Sequence, residues 1–181
     1  MIRKNKYTRI VVGLALALVF NVCSFTECKS QERDYKAYSI YVYNFIKYIE
    51  WPPASKTGEF VICVIGDSPI LKELKTLAAT KKAGGQTIVI KKINSISEMG
   101  NAQILYISSS KSNTIKEVLE KTKNLPTLVI GEREGLVKKG AGINFVTLDD
   151  ETLKFQLNKK AIEEHNLQIS SSLVSLAFVD K

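Results

Sequence analysis

Three consecutive serines, Ser108, Ser109 and Ser110, are the most obvious chemical resource of this 181-residue chain. A serine hydroxyl becomes a nucleophile only when a base stands ready to take its proton. The single histidine, His165, lies in the polar run Glu163-Glu-His-Asn166 and reads as a solvated surface residue. No glycine-flanked nucleophile turn surrounds the serines, so a triad is not supported. Gly66-Asp-Ser-Pro69 could offer free helix amides to an anion. It lacks the spaced glycines of a phosphate cradle, and Asp67 would repel a phosphate. It reads as an ordinary helix start, capped by Asp67 or Ser68, with Pro69 in the first turn. The carboxylates of Gly131-Glu-Arg-Glu134 and Asp149-Asp-Glu151 read as solvated turns, the second lacking the spaced oxygens and glycine of a calcium loop. One histidine and no cysteine pair at ligand spacing leave no metal set. The lysine pairs at 81–82, 91–92 and 138–139 are scattered and have no interleaved aromatics, which argues against nucleic acid. This inventory predicts a protein that is not an enzyme and carries no cofactor.

The elements that must position these residues follow from periodicity. Phe60-Val-Ile-Cys-Val-Ile65 is apolar throughout, as expected of a strand buried on both faces, and Cys63 at its centre reads as an inert small hydrophobe. A helix from about 70 to 80 carries Leu71, Leu74, Leu77 and Ala78 on one face. Strands follow at about 87–90, 104–107 and 127–130, with a helix near 114–123, a brief helical turn near 95–99 and a polar loop or short helix before the Gly140-Ala-Gly142 turn. Ile143–Leu148 and Thr152–Leu157 are close enough to form a hairpin. Asn158 caps a short helix from Lys159 to His165, and Ile169 begins a last element. Alternating strands and helices predict right-handed crossovers around a largely parallel sheet. The expected fold is a three-layer α/β sandwich with about six mostly parallel strands, a C-terminal antiparallel hairpin and helices on both faces.

Ahead of that pattern, residues 35–53 hold five of the seven tyrosines and the only tryptophan. At helical spacing Tyr35, Tyr38, Val42, Phe45 and Ile49 form one apolar stripe, and Tyr41 and Tyr48 form a second row one heptad apart. So wide an apolar circumference must be largely covered. Pro52 and Pro53 are expected to stop the helix. Two readings stand: a core helix, and a core helix whose aromatic belt also serves recognition.

Residues 1–28 read as a secretory signal. Arg3, Lys4, Lys6 and Arg9 precede the apolar run Ile10–Val22, which is too short to span a bilayer comfortably. Val22-Cys-Ser24 and Thr26-Glu-Cys28 both offer cleavage points, and Cys23 also admits lipid anchoring. Removing this segment lowers the net charge from +8 to +5, a mildly basic single domain over residues 29–181, exported to the periplasm.

Asn44-Phe-Ile-Lys-Tyr-Ile-Glu-Trp-Pro52 resembles the hallmark motif of the YfiR-like family. Further matches follow in order: Phe60–Gly66, Ile104–Ser108, Thr127–Gly131, Gly140–Phe145, Phe155–Asn158 and Leu167–Leu173. The positions that carry it include Asn44, Phe45, Trp51, Pro52, Gly66, Gly131, Gly142 and Asn158. The resemblance implies a non-catalytic periplasmic repressor of an inner-membrane diguanylate cyclase, acting in cyclic di-GMP and biofilm signalling. It also implies a homodimer, a membrane partner of the cyclase or sensor-kinase type, and release by an outer-membrane lipoprotein. Relatives with disulfides pair the first-strand cysteine with one just before the Ile-Leu-Tyr-Ile-type strand. Here Cys63 fits the first place, but Asn101-Ala-Gln103 supplies no partner. Tyr41, Lys47 and Glu50, off the main stripe, are the candidate partner contacts. A competing reading is a periplasmic receptor for a small molecule or anion at the strand ends by Gly66 or Gly131.

Overall fold

The computed structural model describes residues 33–179; the signal segment with its Cys23 lies outside them. Side-chain alternation sorts the core into two halves. In β2 (Phe60–Ile65), Phe60, Ile62 and Val64 face one side of the sheet while Cys63 and Ile65 face the other. Strand β5 (Ile104–Ile107) divides Ile104 and Tyr106 from Leu105 and Ile107 in the same way, and β6 (Leu128–Gly131) divides Leu128 and Ile130 from Val129. Helix α1 (Tyr35–Tyr48) and α2 (Ile70–Ala78) cover the first side. Helix α3 (Ile115–Thr122) and a 3-10 turn at Ile96–Glu98 cover the second. The result is the expected three-layer α/β sandwich.

The main sheet has seven strands, one more than expected. Its order is β3 (Lys82–Ala83), β4 (Gln86–Ile93), β2, β5, β6, β7 (Ile143–Thr147) and β8 (Leu153–Leu157). β4, β2, β5, β6 and β7 run parallel, and β7–β8 is the predicted antiparallel hairpin. The unforeseen strand, β3, is a two-residue partner folded back on β4 by Gly84-Gly85, too short for a periodic signal.

Two further departures have physical causes. Helix α1 ends at Tyr48, not at the prolines. Ile49 and Glu50 form β1, which pairs antiparallel with β9 (Gln168–Ile169). This long-range pairing takes the chain out of the helix before Pro52, and the residue ahead of a proline is in any case steered toward extended backbone. His165 is not a solvated residue. It closes α4 (Lys159–Glu164), is only 9% exposed, and its Nδ1 lies 3.0 Å from the Leu125 carbonyl. Its acidic neighbours face water while the ring turns inward.

Asn158 does cap α4, its side chain accepting from the Ala161 amide at 3.0 Å. At the start of α2 one of the two expected residues takes the amide. Ser68 Oγ accepts from the Ile70 amide at 3.4 Å, whereas Asp67 turns to Lys92. The last element is α5 (Ser171–Leu176), capped by Ser170, whose side chain accepts from the Leu173 amide.

Candidate partner-binding groove

The motif Asn44–Pro52 is split by the fold into a buried half and an exposed half. Phe45 is fully buried against Phe145 and Phe155. Trp51 is 5% exposed, stands edge-on to Phe60 with ring centroids 5.0 Å apart, and donates its indole N–H to the Gln103 carbonyl at 3.3 Å. Both are packing residues, as the sequence suggests. Asn44 and Pro52 are half-buried beside them. Gly66 is required on two counts: its φ of +85°, and a Cβ there would sit 2.5 Å from Ser108 Oγ. At Gly131 a Cβ would run into Leu136, and at Gly142 it would press on Ile162 and Leu128.

Lys47 and Glu50 are exposed, and the end of α1 sets both on the rim of a groove of about 820 Å³. Its floor is apolar, formed by Ile46, Ile49, Trp51 and Phe60. The β1–β9 ribbon and the Gly84-Gly85 turn contribute its walls. Glu50 is paired with Lys56 at 2.8 Å, and the hydrogen bond from Lys56 holds its carboxyl below the usual range. Lys47 has no carboxylate partner among the described residues; its ammonium lies 5.3 Å from the centre of the Tyr43 ring. The rim therefore carries one compensated pair and one uncompensated cation over an apolar floor, an arrangement suited to a protein or peptide surface.

Tyr41 does not join them. It is half-buried, its ring packs within 5.6 Å of Phe155 and 6.1 Å of Phe145, and its hydroxyl donates to the Leu153 carbonyl at 3.1 Å. Tyr48, which the sequence placed in the apolar second row, is 41% exposed and lines the groove instead.

The opposite end of the sheet holds a second polar centre, and sequence reasoning missed it. Glu132, just past β6, is 4% exposed. Tyr35 Oη and Ser109 Oγ donate to its Oε1 at 2.9 Å each, and Ser68 Oγ donates to its Oε2 at 2.7 Å. The three candidate loops at Gly66, Ser108 and Gly131 thus converge on one buried carboxylate. Tyr106 reaches the same region; its hydroxyl is buried and makes no hydrogen bond among the described residues. Burial first, and Glu132 second, push that phenol well above its ordinary pKa. Ser108 Oγ meets only Ser110 Oγ, at 3.0 Å, while the His165 ring is engaged by Leu125, so the serine–base geometry of a hydrolase is not assembled there. Among the described residues no group of three or more His, Cys, Asp or Glu side chains could hold a metal ion. Cys63 is fully buried, its thiol pushed up by burial and lying 3.5 Å from the Met99 carbonyl.

The chain is a three-layer α/β domain with an exposed, charged-rim groove. The model of the YfiR/HmsC-like family matches residues 35–178, and the chain belongs to that family. Its members are regulators of diguanylate cyclase signalling that act from the periplasm. No curated protein matches the chain. No helix among the described residues is long and apolar enough to cross a membrane.

Proposed function

We propose that the chain is a non-enzymatic periplasmic repressor. It binds the periplasmic domain of an inner-membrane diguanylate cyclase, or of a sensor kinase in the same role, and holds it inactive. An outer-membrane lipoprotein that captures the repressor would release the cyclase, and the working form is a homodimer. The observation that carries this reading is the placement of Lys47 and Glu50. Lys47 stands at a defined place of the family motif and Glu50 at an open place within its span; neither packs the core, and both border the groove at the end of α1. Buried motif residues are explained by folding; exposed ones on a groove rim are better explained by contact with another protein.

The receptor reading fares worse at the site it requires. An anion bound between Gly66 and Gly131 would meet the buried Glu132 carboxylate, whose oxygens the chain's own hydroxyls already occupy. The test of the repressor reading is made in the host. Deleting the gene is expected to raise cyclic di-GMP and matrix production, and the Lys47→Glu variant, exported at the normal level, is expected not to restore repression. Unchanged cyclic di-GMP on deletion would overturn the reading.

A further inference from the structure

The two edges of the main sheet are treated differently. At β8 the outward carbonyls of Leu153 and Phe155 are taken by the chain itself, the first by Tyr41 Oη at 3.1 Å and the second by the Phe178 amide at 2.8 Å. At the other edge, β3 reaches only Gln86 and Thr87 of β4. From Val89 to Ile93 β4 is paired to β2 on its inner side and, among the described residues, to no strand on its outer side. The Gly66 amide donates to the Ile93 carbonyl, so Ile93 points its backbone inward. By the alternation of a parallel ladder Ile90 and Lys92 then point theirs out. No group among the described residues bonds these outward amides and carbonyls.

Unpaired edges invite strand addition, and natural sheets guard them with lysines or cover them. Here Lys91 and Lys92 are exposed on the bare stretch, and Lys81 and Lys82 are exposed where β3 begins. One carboxylate, Asp67, is paired with Lys92. Two copies of this edge side by side would bring four lysines from positions 91 and 92 to one seam, which disfavours self-pairing. An acidic strand would meet both the free backbone and the positive charge.

We propose that the outer edge of β4 is a docking site for an extended acidic peptide segment of a partner protein, added as a further strand beside Ile90 and Lys92. This surface is separate from the groove at Lys47, and the proposal stands whether or not that groove binds the membrane partner.

The test uses the purified exported chain and a labelled octapeptide of alternating glutamate and valine, with the lysine–valine peptide as control. Fluorescence anisotropy at low salt should show binding of the acidic peptide alone. Backbone exchange should slow at Ile90 and Lys92. The variant Lys91→Glu/Lys92→Glu should melt normally and bind about tenfold more weakly or worse. Ile90→Pro, which removes one outward amide at an edge position that tolerates proline, should also lose binding. Absence of binding to the wild-type chain would overturn the proposal, as would binding without protection at Ile90 and Lys92. So would self-association of a Lys91→Thr/Lys92→Thr variant that leaves the peptide unbound, because the lysines would then be guards that keep the edge empty.

Discussion

The Tyr35 hydroxyl donates to Glu132 Oε1 at 2.9 Å, bridging 97 positions of sequence to tie the first turn of α1 to the end of β6. Ser68 and Ser109 bring two more loops to the same carboxylate. Hydrogen bonds to a charged group contribute about 1.5–3 kcal/mol, and a buried hydroxyl left without its acceptor costs about 1–3 kcal/mol. Glu132→Ala is therefore expected to lower unfolding stability by about 3 kcal/mol, and Tyr35→Phe by about 1–2 kcal/mol, in denaturant titration. A Glu132→Ala protein as stable as wild type would show that the carboxylate does not hold these loops.

Tyr106 offers a pH-dependent companion. Its phenol is held neutral by burial and by Glu132, so its folded pKa lies well above the unfolded value near 10. A raised pKa means the folded state keeps the proton that the unfolded state loses. The stabilising contribution is full below about pH 10 and is lost as pH rises through the folded pKa. Tyr106→Phe removes both this dependence and a buried hydroxyl that makes no hydrogen bond among the described residues. Its stability at pH 7 is expected to equal or slightly exceed wild type, with a shallower decline above pH 10.

Trp51→Ala is expected to cost about 3–5 kcal/mol, as for other buried large-to-small changes, because it vacates the contact with Phe60 and the bond to Gln103. Tyr41→Ala is expected to cost about 2–3 kcal/mol, and Tyr41→Phe about 1 kcal/mol for the bond to Leu153. Thermal melts of the three variants check this. Tyr41 variants that melt like wild type but lose partner binding would restore Tyr41 to the interface.

Glu151 sits in the β7–β8 turn with φ of +64°, the left-handed region that costs a non-glycine residue about 1–2 kcal/mol. Glycine gives part of that back as unfolded-state entropy. Glu151→Gly is expected to stabilise by about 0.5–1 kcal/mol in chemical denaturation.

The architecture was legible where the sequence signal is periodic. Apolar runs marked β2, β5 and β6, and Asn158 marked the start of α4. It was not legible where tertiary pairing decides. β1 and β9 are two residues each and exist only because they meet, and their meeting ends α1 earlier than Pro52 would. The groove was half legible: Lys47 and Glu50 fall outside the main apolar stripe of the sequence, whereas Tyr48 and Gly84-Gly85 reach it only through the fold. Glu132 was hidden altogether. Its neighbours Arg133 and Glu134 make it look like a solvated turn, and the four hydroxyl and carboxyl groups that meet there come from distant segments. The one cue was that Gly66, Ser108 and Gly131 each close a parallel strand, which places their loops at the same end of the sheet.

The claim that the groove at the end of α1 is the working surface is tested most directly by calorimetric titration. The purified chain, wild type or Lys47→Glu, is titrated against the periplasmic domain of a membrane diguanylate cyclase from its own host. A stoichiometric complex is expected with the wild-type chain, and at least about tenfold weaker binding for Lys47→Glu, at an unchanged melting temperature. Full affinity in the Lys47→Glu chain would contradict the claim.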